Sequence, residues 1–170
     1  MKLCERFALG IMKKSFFGLA LAVAVIITGL TGCSRSDRTI SVADDDPAML
    51  AAISKAREAL PVFWEAKEKH LRGESGFALK VKISDGGKGE HFWLTEIERK
   101  EGKIFGVVNN EPETVRNVKL GERREIPEAD ISDWLFMRDR KMVGNYTLRV
   151  LFKQMPAKEV ERYKAIMAEP

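Results

Sequence analysis

Phe77-Ala78-Leu79-Lys80-Val81-Lys82-Ile83 is followed by Asp85-Gly86-Gly87-Lys88-Gly89 and then by His91-Phe92-Trp93-Leu94-Thr95-Glu96-Ile97-Glu98-Arg99. In the first run Phe77, Leu79, Val81 and Ile83 alternate with Ala78, Lys80 and Lys82, the period of two of a half-buried strand. The second run alternates again and predicts Trp93, Thr95 and Ile97 on one face. A Gly-rich link this short reads as a hairpin, so the two strands are antiparallel. Beyond them, Lys100-Glu101-Gly102-Lys103 reads as a turn and Ile104 to Asn109 as a third strand. Asn109-Asn110-Glu111-Pro112 breaks it, and Val118 to Ile126 reads as a fourth. Trp134 to Arg138 suits a last strand, and Arg140 to Tyr146 a loop around Gly144.

Helices flank this sheet. Asp44-Asp45-Asp46-Pro47 opens the first, with Asp46 as N-cap and Pro47 at the first helical position. Met49, Leu50, Ile53, Ala56, Leu60, Phe63 and Trp64 recur at spacings of three and four. Pro61 predicts a kink or a break into two pieces, and the helical run is expected to end near Leu71. Thr147 starts a helix-like segment, and Pro156 a final helix carrying Val160, Tyr163, Ile166 and Met167. The expected fold is α+β: an N-terminal helix, an antiparallel sheet of four to five strands, and C-terminal helices.

The N-terminus reads as an address. Lys13 and Lys14 precede an apolar run from Phe16 to Leu30, which ends in Leu30-Thr31-Gly32-Cys33. A membrane-spanning helix needs about 20 apolar residues, whereas this run has the length of a signal-peptide core. The four-residue box resembles that of bacterial lipoproteins. The resemblance implies cleavage after Gly32 and lipidation at Cys33, with residues 1–32 as signal peptide. Residues 33–45 would form the lipidated Cys and a polar tether, and 46–170 a single domain. Several acyl chains at one residue would hold the chain stably at a membrane. Ser34 after the Cys implies sorting to the outer membrane, facing the periplasm. A start at Met12 would give a more compact leader, with residues 1–11 as an upstream extension.

Composition narrows the function classes. The 170 residues are 45% hydrophobic and 32% charged, a globular balance. The formal charge of +4 invites a nucleic-acid reading. However, Lys2, Arg6, Lys13 and Lys14 lie in the first 32 residues against Glu5 alone, so residues 33–170 carry only +1. No basic stripe remains, and no nucleic acid is expected as a partner. Of two cysteines only Cys33 would survive cleavage, which leaves no intramolecular disulfide.

Several segments in order then carry a family resemblance: Pro61-Val62-Phe63-Trp64, Phe92-Trp93-Leu94-Thr95, Gly106-Val107-Val108-Asn109-Asn110, Ile131-Ser132-Asp133-Trp134 and Gly144-Asn145-Tyr146-Thr147. Through them residues 46–156 resemble the YegJ-like family, a bacterial domain of unknown function. The resemblance implies kinship of fold and a secreted or lipoprotein context, and no catalytic residues.

Candidate sites are few. His70 and His91 lack metal-ligand spacing and read as structural. Gly86-Gly87-Lys88-Gly89 lies between strands and not before a helix, so it is not a phosphate loop. Glu128, Asp130 and Asp133 sit at spacings that suit caps and turns, although paired carboxylates also serve hydrolases. Asp133 and Trp134, with the basic Arg138 and Arg140, make the best candidate ligand or surface site. No cofactor and no metal are expected. No nucleophile, base and orienting group stand in a known pattern, so the chain reads as non-enzymatic. The expectation is a binding domain tethered through Cys33, with the membrane and an envelope protein as partners. An inhibitor or immunity-type lipoprotein acting against a cell-wall hydrolase or toxin is the alternative, and an enzyme whose site only the fold reveals is the third reading.

Overall fold

The computed structural model describes residues 2–3, 40–41, 45–69, 71 and 73–168. Helices α1 (Pro47–Glu58) and α2 (Leu60–Lys69) come first. They are followed by β1 (Glu74–Asp85), β2 (Lys88–Lys100), β3 (Lys103–Val108), β4 (Arg123–Ile126), β5 (Ile131–Arg138) and β6 (Lys141–Gly144). Helices α3 (Tyr146–Leu151) and α4 (Ala157–Ile166) close the chain. The architecture is α+β as expected, but the sheet has six main strands, not four to five. Lys141–Gly144 pairs with β5 where a loop was expected. A two-residue strand segment, Lys2–Leu3, pairs with Glu90 and His91 of β2, and Ile40–Ser41 pairs with that segment in turn. Among the described residues no helix is long and apolar enough to cross a membrane. Cys33 and His70 lie outside the described residues.

Local chemistry explains the elements. The Asp46 carboxylate accepts a hydrogen bond from Met49 N at 2.8 Å, and Pro47 supplies the first turn. The break between α1 and α2 falls at Ala59, two residues before Pro61. Three hairpins close with two-residue turns whose central residues both have positive φ: Gly86-Gly87, Glu101-Gly102 and Asp139-Arg140. That geometry matches the right-handed twist of the flanking strands.

The six strands run in the spatial order β6-β5-β1-β2-β3-β4, all antiparallel. Only Pro127–Asp130 links β4, at one edge, to β5 on the far side of β1. A flat sheet would place those strands roughly 19 Å apart, at about 4.8 Å per neighbour. Five residue steps reach about 17 Å fully stretched. The sheet is therefore coiled. A bulge between Thr95 and Glu98, with Glu96 at φ 51°, bends β2. Gly106 leaves room on the inside of that bend, where an added Cβ would stand 2.8 Å from Ile97 Cδ1.

Each face of the sheet has its own core. Leu79, Val81, Phe92, Leu94, Ile97 and Trp134 pack against Ala56, Leu60, Phe63 and Trp64 of the N-terminal helices. Ala78, Trp93, Leu135 and Met142 pack on the other face against Leu148 and Met167. Trp93 and Ile97 thus lie on opposite faces. The Glu96 bulge adds a residue and reverses the expected alternation. The second core also corrects the reading of β1 as half-buried, since Lys80 is fully buried under the C-terminal segment.

Candidate functional site

Four of the five family-like segments meet in the folded chain around a polar cluster at the second core. Lys80, Trp93 and Asp133 stand in one row across three neighbouring strands. The Asp133 carboxylate receives four hydrogen bonds: from Trp134 N (2.8 Å) and Tyr146 N (3.1 Å) at Oδ1, and from Thr147 N (2.7 Å) and Thr147 Oγ1 (2.6 Å) at Oδ2. An ionised carboxylate has about four acceptor positions, so this one is saturated. It caps the start of α3 and ties that helix to β5. Lys80 Nζ donates to Thr147 Oγ1 at 3.2 Å and lies 5.3 Å from the centre of the Trp93 ring. Burial pushes the Asp133 carboxyl above its ordinary value, against the pull of the Lys80 ammonium and the bonds from Thr147.

The glycine of Gly144-Asn145-Tyr146-Thr147 is a steric necessity. Gly144 has φ 85°, and a Cβ there would stand 2.7 Å from Trp134 Cε3. Asn145, at φ 53°, donates its backbone N–H to Trp134 O. Trp134 lies under the opposite face, and its indole Nε1 donates to Ala56 O at 2.7 Å. Asp133-Trp134 and Gly144 to Thr147 are thus two halves of one corner. Asn109-Asn110 has a similar office. Asn110 Oδ1 accepts from Trp93 N at 2.9 Å, and Asn109 N donates to Trp93 O at 2.8 Å. His91 is buried with its Nδ1 2.7 Å from Ser132 Oγ, in keeping with a structural role.

Of the four residues expected to form a ligand or surface site, two face inward on opposite sides of the sheet: Asp133 and Trp134. The other two, Arg138 and Arg140, are exposed at the β5–β6 hairpin, where Arg138 pairs with Glu74 at 2.7 Å. The four do not converge on one site. Glu128 and Asp130 occupy an exposed helical turn. Among the described residues no three His, Cys, Asp or Glu side chains gather as a metal site.

Sequence reading missed Glu90. Its buried carboxylate accepts from the backbone N–H of Glu113, Thr114 and Val115 at 2.8–3.3 Å. Asp85 Oδ2 accepts from the next donor, Arg116 N, at 2.8 Å. Two carboxylates of the β1–β2 hairpin thereby hold the long link between β3 and β4. No spacing in the chain announces this, because the partners lie 23 to 31 residues away.

Pro61, Val62 and Asn109 are the exposed residues of the family-like segments, and Pro61 lines an open groove of about 520 Å³. Trp64 lines it under the guanidinium of Arg99, 3.8 Å from the ring centre. Glu58, Glu65, Glu68, Lys69 and Glu128 surround it, and Arg57 is fixed there by bonds to Ala129 O and Ile131 O.

Comparison with known proteins gives relatives but no solved structure that matches. The chain is 37% identical over 148 residues to the "Uncharacterized protein YegJ" of Escherichia coli (strain K12), covering 86% of this chain and 95% of that one. It is 32% identical over 129 residues to a "Putative ankyrin repeat protein" of Neisseria meningitidis serogroup B, covering 71% of this chain but about half of that longer protein (51%). Residues 46–168, which include the corner, the Glu90 clamp and the groove, match the family model described as "Uncharacterized protein conserved in bacteria (DUF2314)", and the chain belongs to this family.

Proposed function

We propose that this chain is an envelope lipoprotein, anchored through Cys33 to the outer membrane on its periplasmic side, whose domain is a non-enzymatic interaction module. The observation that carries the second half is the fate of the polar side chains in the family-like segments. Asp133, Asn110, Asn145 and Thr147 are buried and bonded internally, and Asp133 has no acceptor position left for a substrate proton. Pro61, exposed, and Trp64, largely buried, line the Trp64–Arg99 groove, and Val62 and Asn109 are the other exposed residues of those segments. An aromatic and arginine contact ringed by charge suits a protein surface. The Neisseria relative supports the reading, since a similar segment there makes up half of a chain named for ankyrin repeats. The anchor rests on Leu30-Thr31-Gly32-Cys33 after a short apolar run. The segment aligned with YegJ is long enough to take in that box.

Two measurements test the two halves. Metabolic labelling with palmitate should mark the wild type and not Cys33→Ala, which should accumulate unprocessed. Equal labelling and processing of both would refute the anchor. A photo-crosslinking residue at Glu68, on the groove wall, should give a discrete protein adduct in intact cells, and one at Gly86 none. Identical adduct patterns from the two positions would refute the groove as the contact surface.

A further inference from the structure

We propose that Met137, Met142 and Met167 form a thioether site for a soft monovalent cation, Cu(I). The inference starts from register. Met137 faces Met142 across the β5–β6 pair, and Met142 faces Met167 in an isolated parallel bridge beyond β6. Residues directly opposite one another place their Cβ atoms about 4.5–5.5 Å apart on one face. Three methionines therefore stand in a single row across three neighbouring chain segments. Met142 and Met167 belong to the second core, and Met137 and Met155 pack against it. Five methionines follow residue 45, and four of them gather here. A core that needed only apolar volume is better specified by branched aliphatic side chains.

A second observation points to a cation. Asn145 Nδ2 lies 3.3 Å from Met142 Sδ, so the amide orients that sulfur. The other end of the same buried amide, Oδ1, has no hydrogen-bond partner. Turning this amide over would present its unpaired oxygen, in place of the N–H, to a cation held by the sulfur row. Ligand chemistry then chooses the ion. Thioethers are soft and neutral and select Cu(I) among biological metals. Zinc would want thiolate, imidazole or carboxylate, and calcium or magnesium would want several oxygens. Met137 and Met155 are only half-buried and give a route from solvent.

The test uses Ag(I), a redox-inert stand-in for Cu(I), on the full chain in detergent. Cys4→Ser and Cys33→Ser remove the thiols that would compete. With 13C-methyl methionine, one equivalent of Ag(I) should shift the Met137, Met142 and Met167 methyl signals together, and leave Met1, Met12 and Met49 in place. Met142→Leu, close to volume-neutral, should weaken binding at least tenfold while the urea midpoint stays near that of the parent. No saturable shift at one equivalent, shifts centred on the other methionines, or parental affinity in Met142→Leu would each overturn the proposal.

Discussion

Replacing Asp133 with Ala should be among the costliest single changes in this domain. Its carboxylate is fully buried and receives four hydrogen bonds, three of them wholly inside the protein. Alanine would strand Trp134 N and Thr147 N, and would take the negative neighbour away from the buried Lys80. Breaking a buried charged pair on one side costs about 3–5 kcal/mol. Each stranded buried donor costs about 1–3 kcal/mol, and the Thr147 hydroxyl recovers part of this by rotating. An expected loss of about 4 kcal/mol is a large share of a stability of about 5–15 kcal/mol. With a urea m-value of about 2 kcal/mol/M, the midpoint should fall by roughly 2 M. Adding Lys80→Met removes the uncompensated ammonium and should recover at least about 1 kcal/mol in a double-mutant cycle. A loss below about 1 kcal/mol for Asp133→Ala, or strict additivity in the cycle, would refute the account of the corner.

Four further outcomes follow. Burial raises the Asp133 carboxyl above its ordinary value of 3.8, so the folded state holds this proton more tightly than the unfolded chain. The stabilisation is present at pH below 3.8 and is lost as pH rises through the raised folded value. Unfolding free energies measured against Asp133→Asn should show the wild type losing ground as pH climbs above 3.8 and then levelling off; a gain with pH would contradict it. Gly144→Ala should cost roughly 3 kcal/mol or more in urea unfolding, from positive φ and the clash with Trp134. Gly86→Ala, with open space around it, should cost about 1 kcal/mol. Glu90→Gln should speed amide hydrogen exchange at Thr114 and Val115 by at least tenfold while exchange at Trp93 stays slow; unchanged protection would show that the carboxylate does not hold the link.

Much of the fold could be read from the chain, and the misses have definite causes. The helix start at Asp46-Pro47 and the first two strands followed from capping and alternation. β6 was hidden because it is four residues long and its turn, Asp139-Arg140, adopts positive φ without glycine. The strand expected from Val118 shrank to Arg123–Ile126, since Lys119 to Glu122 forms a turn, with Glu122 N bonded to Lys119 O and Gly121 at φ 78°. Lys80 looked solvent-facing because nothing local says that a C-terminal segment will cover that face. Asp133 and Trp134 were legible as important residues, but their office was not: the partners that define it are Thr147, 14 residues on, and Ala56, 78 residues back.

The corner also sets an order of assembly. The β1–β2, β2–β3 and β5–β6 hairpins join near neighbours in the chain and can form within microseconds. Docking of β5 on β1 is different, for the Arg138 to Glu74 contact spans 64 residues. Closing so long a loop costs entropy before any contact repays it, and chains built this way fold slowly for their size. Asp133 can meet Lys80 only after that docking, so the buried charge pair is completed late. Trp134 reaches Ala56 at the same stage, and the two cores consolidate together. The chain therefore remains open until β5 has been made.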